Sequence, residues 1–105
     1  MKEGDIVKAI LDAYAGHPRI RLWRQNTGVA RVRGSHVRFG VPGAGDITGI
    51  ILDGGGRRIE IECKQPKAKQ RAAQVEFADM IRRHGGLYIL AYSVDDVKAI
   101  LNERY

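Results

Sequence analysis

Apolar positions recur at helical spacing over residues 3–15, where Ile6, Val7, Ile10, Leu11 and Tyr14 fall on one face. Gly16 and His17-Pro18 stop the run, so the chain is expected to open on an amphipathic helix with one acid, Glu3, at its start. The period then shortens. Residues 20–26 alternate apolar and polar up to a turn at Thr27-Gly28, and residues 29–33 with 36–39 read as a hairpin interrupted at Gly34-Ser35. Residues 40–45 (GVPGAG) are a loop by composition, and residues 46–52 (DITGIIL) form a strand ended by Asp53-Gly54-Gly55-Gly56. Residues 57–64 return antiparallel across that turn until Pro66 breaks the strand. Residues 68–84 are helical, with Phe77, Met80 and Ile81 apolar, Arg82 and Arg83 at the negative end, and Gly85-Gly86 as the stop. Residues 87–92 (LYILAY) are apolar enough for a strand buried on both faces. Ser93 to Asp96 resemble a capping box, with Asp96 in place of the usual Glu or Gln, and open a last helix to about Tyr105.

The order is helix, two or three strands, two strands, helix, strand, helix; at the shorter count it is α-β-β-β-β-α-β-α. That is an α/β fold, a mixed sheet flanked by helices, and no repeat, linker or low-complexity tract interrupts it. Its 105 residues suit a single domain spanning 1–105. An apolar share of 44% is too high for a disordered chain.

Charge changes the picture. The net charge is +6, and between Asp12 and Asp46 there is no acid but six arginines: Arg19, Arg21, Arg24, Arg31, Arg33 and Arg38. A concentration of this kind suits a phosphate backbone, because each neutralised phosphate releases counterions; a solvated basic surface is the plain alternative. The single cysteine, Cys63, excludes an intrachain disulfide and a zinc cluster and makes a reducing, intracellular setting the default. Acids lie within the first five residues, no apolar run of signal-peptide length opens the chain, and no stretch approaches the ~18 apolar residues of a membrane span. A soluble cytoplasmic protein with no membrane partner is expected.

Alternation along residues 59–64 sends Ile59, Ile61 and Cys63 to one face, the core, and Glu60, Glu62 and Lys64 to the other. With Asp46 opening the neighbouring strand, two carboxylates converge beside a lysine. Such carboxylates repel unless a cation sits between them, which is the arrangement that binds Mg2+ or Mn2+ through oxygen. The lysine then holds or deprotonates a water, or steadies charge growing on an attacked phosphate. An exposed polar strand face with salt bridges is the competing account. Against it, these acids stand among Arg57, Arg58, Lys64, Lys67 and Lys69, of which Lys67 and Lys69 are further candidates for DNA contact.

The segments GVPGAGDITGI and IEIECK, the helix element Gln74-Val75-Glu76-Phe77 and the earlier RQNTG (Arg24 to Gly28) together resemble the VRR-NUC domain, the virus-type replication-repair branch of the PD-(D/E)XK nucleases, in its standalone, phage-like form. The similarity runs over nearly the whole chain, from about Glu3 to about Leu101. It implies a restriction-endonuclease-like core, a divalent metal (Mg2+ or Mn2+) and phosphodiester hydrolysis in branched or duplex DNA, as in four-way junction resolution. It assigns Asp46 and Glu62 as metal carboxylates, the main-chain carbonyl of Cys63 as a further ligand, Lys64 as the catalytic lysine, Gln74 as the polar residue from the following helix, and Glu3 as the acid of the first helix. Gly45 stands where the superfamily's name expects proline. The resemblance also points to a homodimer, for which Trp23, Val37 and Phe39 are candidate contacts.

Other residues carry plainer expectations. Glu60 lies one residue pair further from the strand end, so a salt bridge with an arginine is expected of it rather than a metal. The GVPGAG glycines lack a following Gly-Lys-Ser/Thr and a helix, so close backbone packing is expected, not nucleotide binding. His17, His36 and His84 lack metal-ligand spacing, although His36 could touch phosphate. Cys63 faces the core without a catalytic partner. Trp23 could stack a base, but a lone strand tryptophan reads first as core or interface. Three alternatives to a junction-selective nuclease stay open: a non-catalytic nucleic-acid-binding module, a monomeric nickase, and a sequence-specific restriction nuclease, for which so short a chain leaves little to read bases.

Overall fold

The periodicities above become three helices and six strands in a computed structural model that describes residues 2–26 and 28–105 and, of Gly28, Val29 and Phe39, only the backbone. Thr27, and with it part of the expected turn and of the RQNTG segment, lies outside the described residues. Helix α1 (Glu3–Tyr14) buries Ile6, Val7, Ile10 and Tyr14, and its start is fixed by the Asp5 carboxylate, which accepts the Lys2 N–H at 3.0 Å. It ends at Gly16, whose φ of +72° suits glycine.

Strands β1 (Ile20–Arg24), β4 (Ile47–Ile51), β5 (Arg58–Cys63) and β6 (Leu87–Ala91) form one sheet in the order β1-β4-β5-β6. β4 pairs antiparallel with β1 and with β5, the second pairing being the one that the glycine turn at 53–56 sets up. β6 pairs parallel to β5, because helix α2 (Ala72–Arg83) carries the chain back across the sheet. Helix α3 (Val94–Arg104) follows. The result is the expected mixed sheet flanked by helices. Among the described residues no helix is long and apolar enough to cross a membrane.

Two details differ from the sequence expectation. Helix α2 starts at Ala72 rather than residue 68, because Lys67 adopts a left-handed φ of +72° and the Arg71 N–H donates to Gln74 Oε1 at 2.8 Å, which caps the helix there. The Ser93 box does not form: Ser93 makes no side-chain cap, and Asp96 Oδ2 accepts the N–H of Tyr92 at 2.7 Å, one residue earlier.

Of the two expected strand counts the longer holds: five strands precede α2, where α-β-β-β-β-α-β-α has four, and among the described residues β2 (Gly28–Val32) and β3 (Ser35–Phe39) pair only with each other. Arg33 and Gly34 both adopt positive φ, the two-residue hairpin turn whose twist matches its strands. Opposite residues share a face, so Arg31, His36 and Arg38 lie on one side of this ribbon and Ala30, Val32 and Val37 on the other. No described side chain of the ribbon is buried.

The two faces of the main sheet are covered differently. Helices α1 and α3 pack on the face carrying Ile20, Ile47, Ile51, Ile59, Ile61, Cys63, Ile89 and Ala91, and the Tyr14 hydroxyl donates to Asn102 Oδ1 at 2.9 Å between them. Each fully buried isoleucine contributes roughly 1.5–3 kcal/mol of transfer free energy, so this side holds the fold together. On the other face α2 lays Phe77, Ala78 and Ile81 over Tyr88 and Ala44, at the β6 end of the sheet.

Candidate metal centre

Strand β5 is buried on both faces, with Glu60 at 0% and Glu62 at 4% exposure and Lys64, the next residue after the strand, at 8%, so its polar face is not the solvated strip of the plain account. Buried acids need partners. Glu60 has them within the protein: Gln25 Nε2 donates to its Oε1 at 3.1 Å, the Gly45 N–H at 3.4 Å, and Arg58 reaches its Oε2 at 3.3 Å. The arginine pairing is the one expected for Glu60. Gln25 Nε2 also donates to the Gly45 carbonyl at 3.0 Å, so the loop ahead of Asp46 is clamped to the sheet.

That loop needs its glycines. A Cβ at Gly45 would lie 2.6 Å from the Ile61 carbonyl oxygen, and one at Gly43, where φ is +82°, would collide with the backbone of Ala73 at the start of α2. Close backbone packing, rather than a phosphate cradle, is therefore what GVPGAG does here. It sets Asp46 at the head of β4, where Asp46 Oδ2 accepts the Cys63 N–H at 2.8 Å and the Asp46 carbonyl accepts the Gln25 N–H at 2.8 Å.

Glu62 lies across from Asp46, and Glu3 arrives from the first turn of α1. One carboxylate oxygen from each of the three lies within 4.8 Å of the others. Gln74 Nε2 donates to Glu62 Oε1 at 2.9 Å while its own Oε1 caps α2, so a helix terminus fixes the orientation of a site carboxylate. Lys64 Nζ stands 4.0 Å from the same Glu62 oxygen. The structure thus brings together Glu3, Asp46, Glu62, Lys64 and Gln74. Burial above all, then the charge of Asp46 and, more weakly, of Glu3 push the Glu62 carboxyl up to about 8, against the pull of Lys64 and Arg71. The donor set is all oxygen and its charges repel one another, which fits a hard divalent cation.

Cys63 presents its N–H to this cluster while its thiol is wholly buried; burial first, then Asp46 and Glu62, push the thiol up to about 12, far from a reactive thiolate. Arg71, at the N-terminal boundary of α2, and Tyr88, whose hydroxyl accepts from Gln70 Nε2 at 3.1 Å, also border Glu62 and were not singled out from sequence. Gln25 was visible in RQNTG, but nothing in that segment marks it as the partner of Glu60. No family model matches this chain, and no curated protein matches it.

The candidate DNA contacts are all exposed and, among the described residues, form no salt bridge. They are spread over several elements. Arg19 precedes β1, Arg21 and Arg24 lie on it with side chains on opposite faces, Arg31, Arg33 and Arg38 belong to the ribbon, and Lys67 and Lys69 lie between β5 and α2. The candidate dimer residues lie on different elements: Val37 is on the ribbon's apolar side, Trp23 is on β1 of the main sheet, and the Phe39 side chain lies outside what is described.

Proposed function

We propose that the chain is a divalent-metal-dependent endodeoxyribonuclease of VRR-NUC type that hydrolyses phosphodiester bonds in branched or duplex DNA. The observation that carries this reading is the convergence of Glu3, Asp46 and Glu62 within 4.8 Å, with Gln74 and Lys64 both directed at Glu62. In a chain of net charge +6, three acids gathered against one another rather than against arginines are the arrangement that a bound cation would stabilise. Asp46, Glu62 and the Cys63 main-chain carbonyl would hold Mg2+ or Mn2+, with Glu3 as a further carboxylate. When bound, the metal polarises the phosphate and makes water more acidic. Gln74 holds the Glu62 carboxylate in position, and Lys64 places a positive charge where negative charge grows on the phosphate.

The deciding experiment is cleavage of labelled four-way junction, flap, nicked duplex and single-stranded DNA by the purified protein with and without Mn2+. Metal-dependent cutting of at least one substrate is expected. A protein that binds these DNAs and cuts none would leave a non-catalytic nucleic-acid-binding module in place of the nuclease.

Metal binding has its own readout. At a hundredfold excess over its Kd, Mn2+ is expected to raise the melting temperature by roughly 10–20 °C, since a ligand bound only by the folded state stabilises it by about 2.7 kcal/mol at that ratio. Glu62→Ala should remove most of the shift. An identical melting curve with and without Mn2+ would count against the site.

The exposed arginines are assigned to the DNA backbone. Replacing any two of Arg19, Arg21, Arg24, Arg31, Arg33 and Arg38 by alanine should weaken binding similarly on all sequences and flatten log K against log salt by up to about two units. An unchanged slope would give them another purpose.

Cutting two strands symmetrically requires two sites related by a two-fold axis, so the proposed species on a junction is a homodimer. The exposed apolar side of the ribbon, with Val32 and Val37, is the surface a second copy would cover. Sedimentation equilibrium at micromolar protein with a four-way junction should return a dimer mass. A monomer mass together with single-strand nicking would remove junction resolution and keep a nickase.

A further inference from the structure

The sheet face that carries Glu60 and Glu62 is only partly roofed. Direct pairing places Trp23, Thr48, Glu60 and Tyr88 in one row across β1, β4, β5 and β6, so their side chains share that face. Helix α2 covers the β6 end of the row, and Thr48, Glu60 and Tyr88 are buried, yet Trp23 at the β1 end is 50% exposed. It lines a groove of about 380 Å³ with Gln25, Thr48, Ile50 and Arg58. Arg21, paired with Ile50, is two residues along β1 from Trp23 and therefore points to the same side.

We infer that this groove holds an unpaired nucleotide of the DNA substrate, its base stacked on the Trp23 ring and its phosphates beside Arg21 and Arg58; the inference rests on the nuclease reading and narrows its substrate to DNA with a single-stranded arm. A half-exposed indole on an open sheet surface is a stacking platform, and bases offer a free π-face only where they are unpaired. The charge fits a polyanion. The one acid of the row, Glu60, is wholly buried and already bonded to Gln25, Gly45 and Arg58, which weakens its repulsion of a phosphate. The same charge argues against a second copy as the occupant, since a two-fold axis would bring arginines against arginines.

The groove also lies where a strand leaving the metal centre would pass. Trp23 is two strands over from β5 and one residue pair back from Glu62, about 12 Å away by strand spacing and rise. Gln25 Nε2 and the Thr48 hydroxyl are engaged with Glu60, Gly45 and the Ile59 carbonyl, which leaves the groove few groups to read a base edge. Stacking there is therefore tolerant of sequence.

Trp23 is the protein's one tryptophan, so its emission reports on the groove directly. Titration with a short oligothymidylate in EDTA, where no cleavage occurs, should quench that emission saturably, whereas a blunt duplex of equal length should not. By anisotropy of a labelled oligothymidylate, Trp23→Ala should weaken binding about tenfold, within the roughly fivefold to hundredfold span of a lost stack, while Trp23→Tyr stays within about threefold. Duplex affinity should be unchanged in both. Undiminished emission at saturating oligothymidylate, an alanine variant that binds it as tightly as the parent, or equal quenching by the blunt duplex would each overturn the inference. So would a Trp23→Ala protein that sediments as a monomer where the parent is a dimer, which would assign the ring to self-association. These readouts need no catalysis, so a protein that fails to cut but passes them loses the nuclease reading and keeps the platform.

Discussion

Asp46→Asn and Glu62→Gln are each expected to lower metal-dependent cleavage by at least about a thousandfold while leaving DNA affinity equal or improved. Both substitutions keep shape and local bonding. The amide oxygen introduced at position 46 still accepts from the Cys63 N–H, and the one introduced at position 62 still accepts from Gln74 Nε2, so both local bonds survive. What each removes is a carboxylate that a bound cation would hold ionised, from a cluster whose members lie within 4.8 Å. Metal-held charge stabilisation is worth several kcal/mol in a hydrolytic transition state, and about 4 kcal/mol corresponds to a thousandfold in rate. Binding is not weakened, because neither substitution adds charge that repels phosphate. Single-turnover cleavage of a labelled substrate, paired with binding in EDTA, checks both halves. Parental cleavage rates from the two variants would sink the site assignment.

Removing the charge at position 64 should slow the chemical step by at least about a hundredfold with metal affinity little changed, the scale of a lost electrostatic or acid-base group. Lys64 is largely buried with Nζ 4.0 Å from Glu62, so alanine would also leave a cavity. Lys64→Met fills nearly the same volume without charge and separates the two effects. Both variants should lose the rate under single-turnover conditions, and the methionine variant should retain more of the parental melting temperature. A methionine variant that cuts normally would show Lys64 to be a packing residue.

Much of the fold was legible because its signals are local. The 3.6-residue spacing of Ile6, Val7, Ile10 and Tyr14 gives α1; the glycines at 53–56 place an antiparallel turn between β4 and β5; and the apolar run LYILAY marks a strand covered on both faces, which β6 is. The alternation of IEIECK separates core from site side chains correctly along β5. The carboxylates of residues 46 and 62 could be paired on paper because one short turn joins their strands and sets the register.

What depends on the third dimension could not be found that way. Glu3 reaches Asp46 and Glu62 only because α1 packs across the sheet, and no spacing in the chain encodes that approach. The arginines of one acid-free stretch divide between β1 and a separate ribbon, since whether β2 and β3 join the main sheet is settled by competition among strand edges rather than by their own alternation. Burial behaves likewise: the residues of β5 name its two faces, but α2 and the clamped loop decide that Glu60 is sealed in while Trp23, in the same row, stays open. Periodicity describes a segment against an average environment, whereas exposure and convergence are properties of what the rest of the chain brings to that segment.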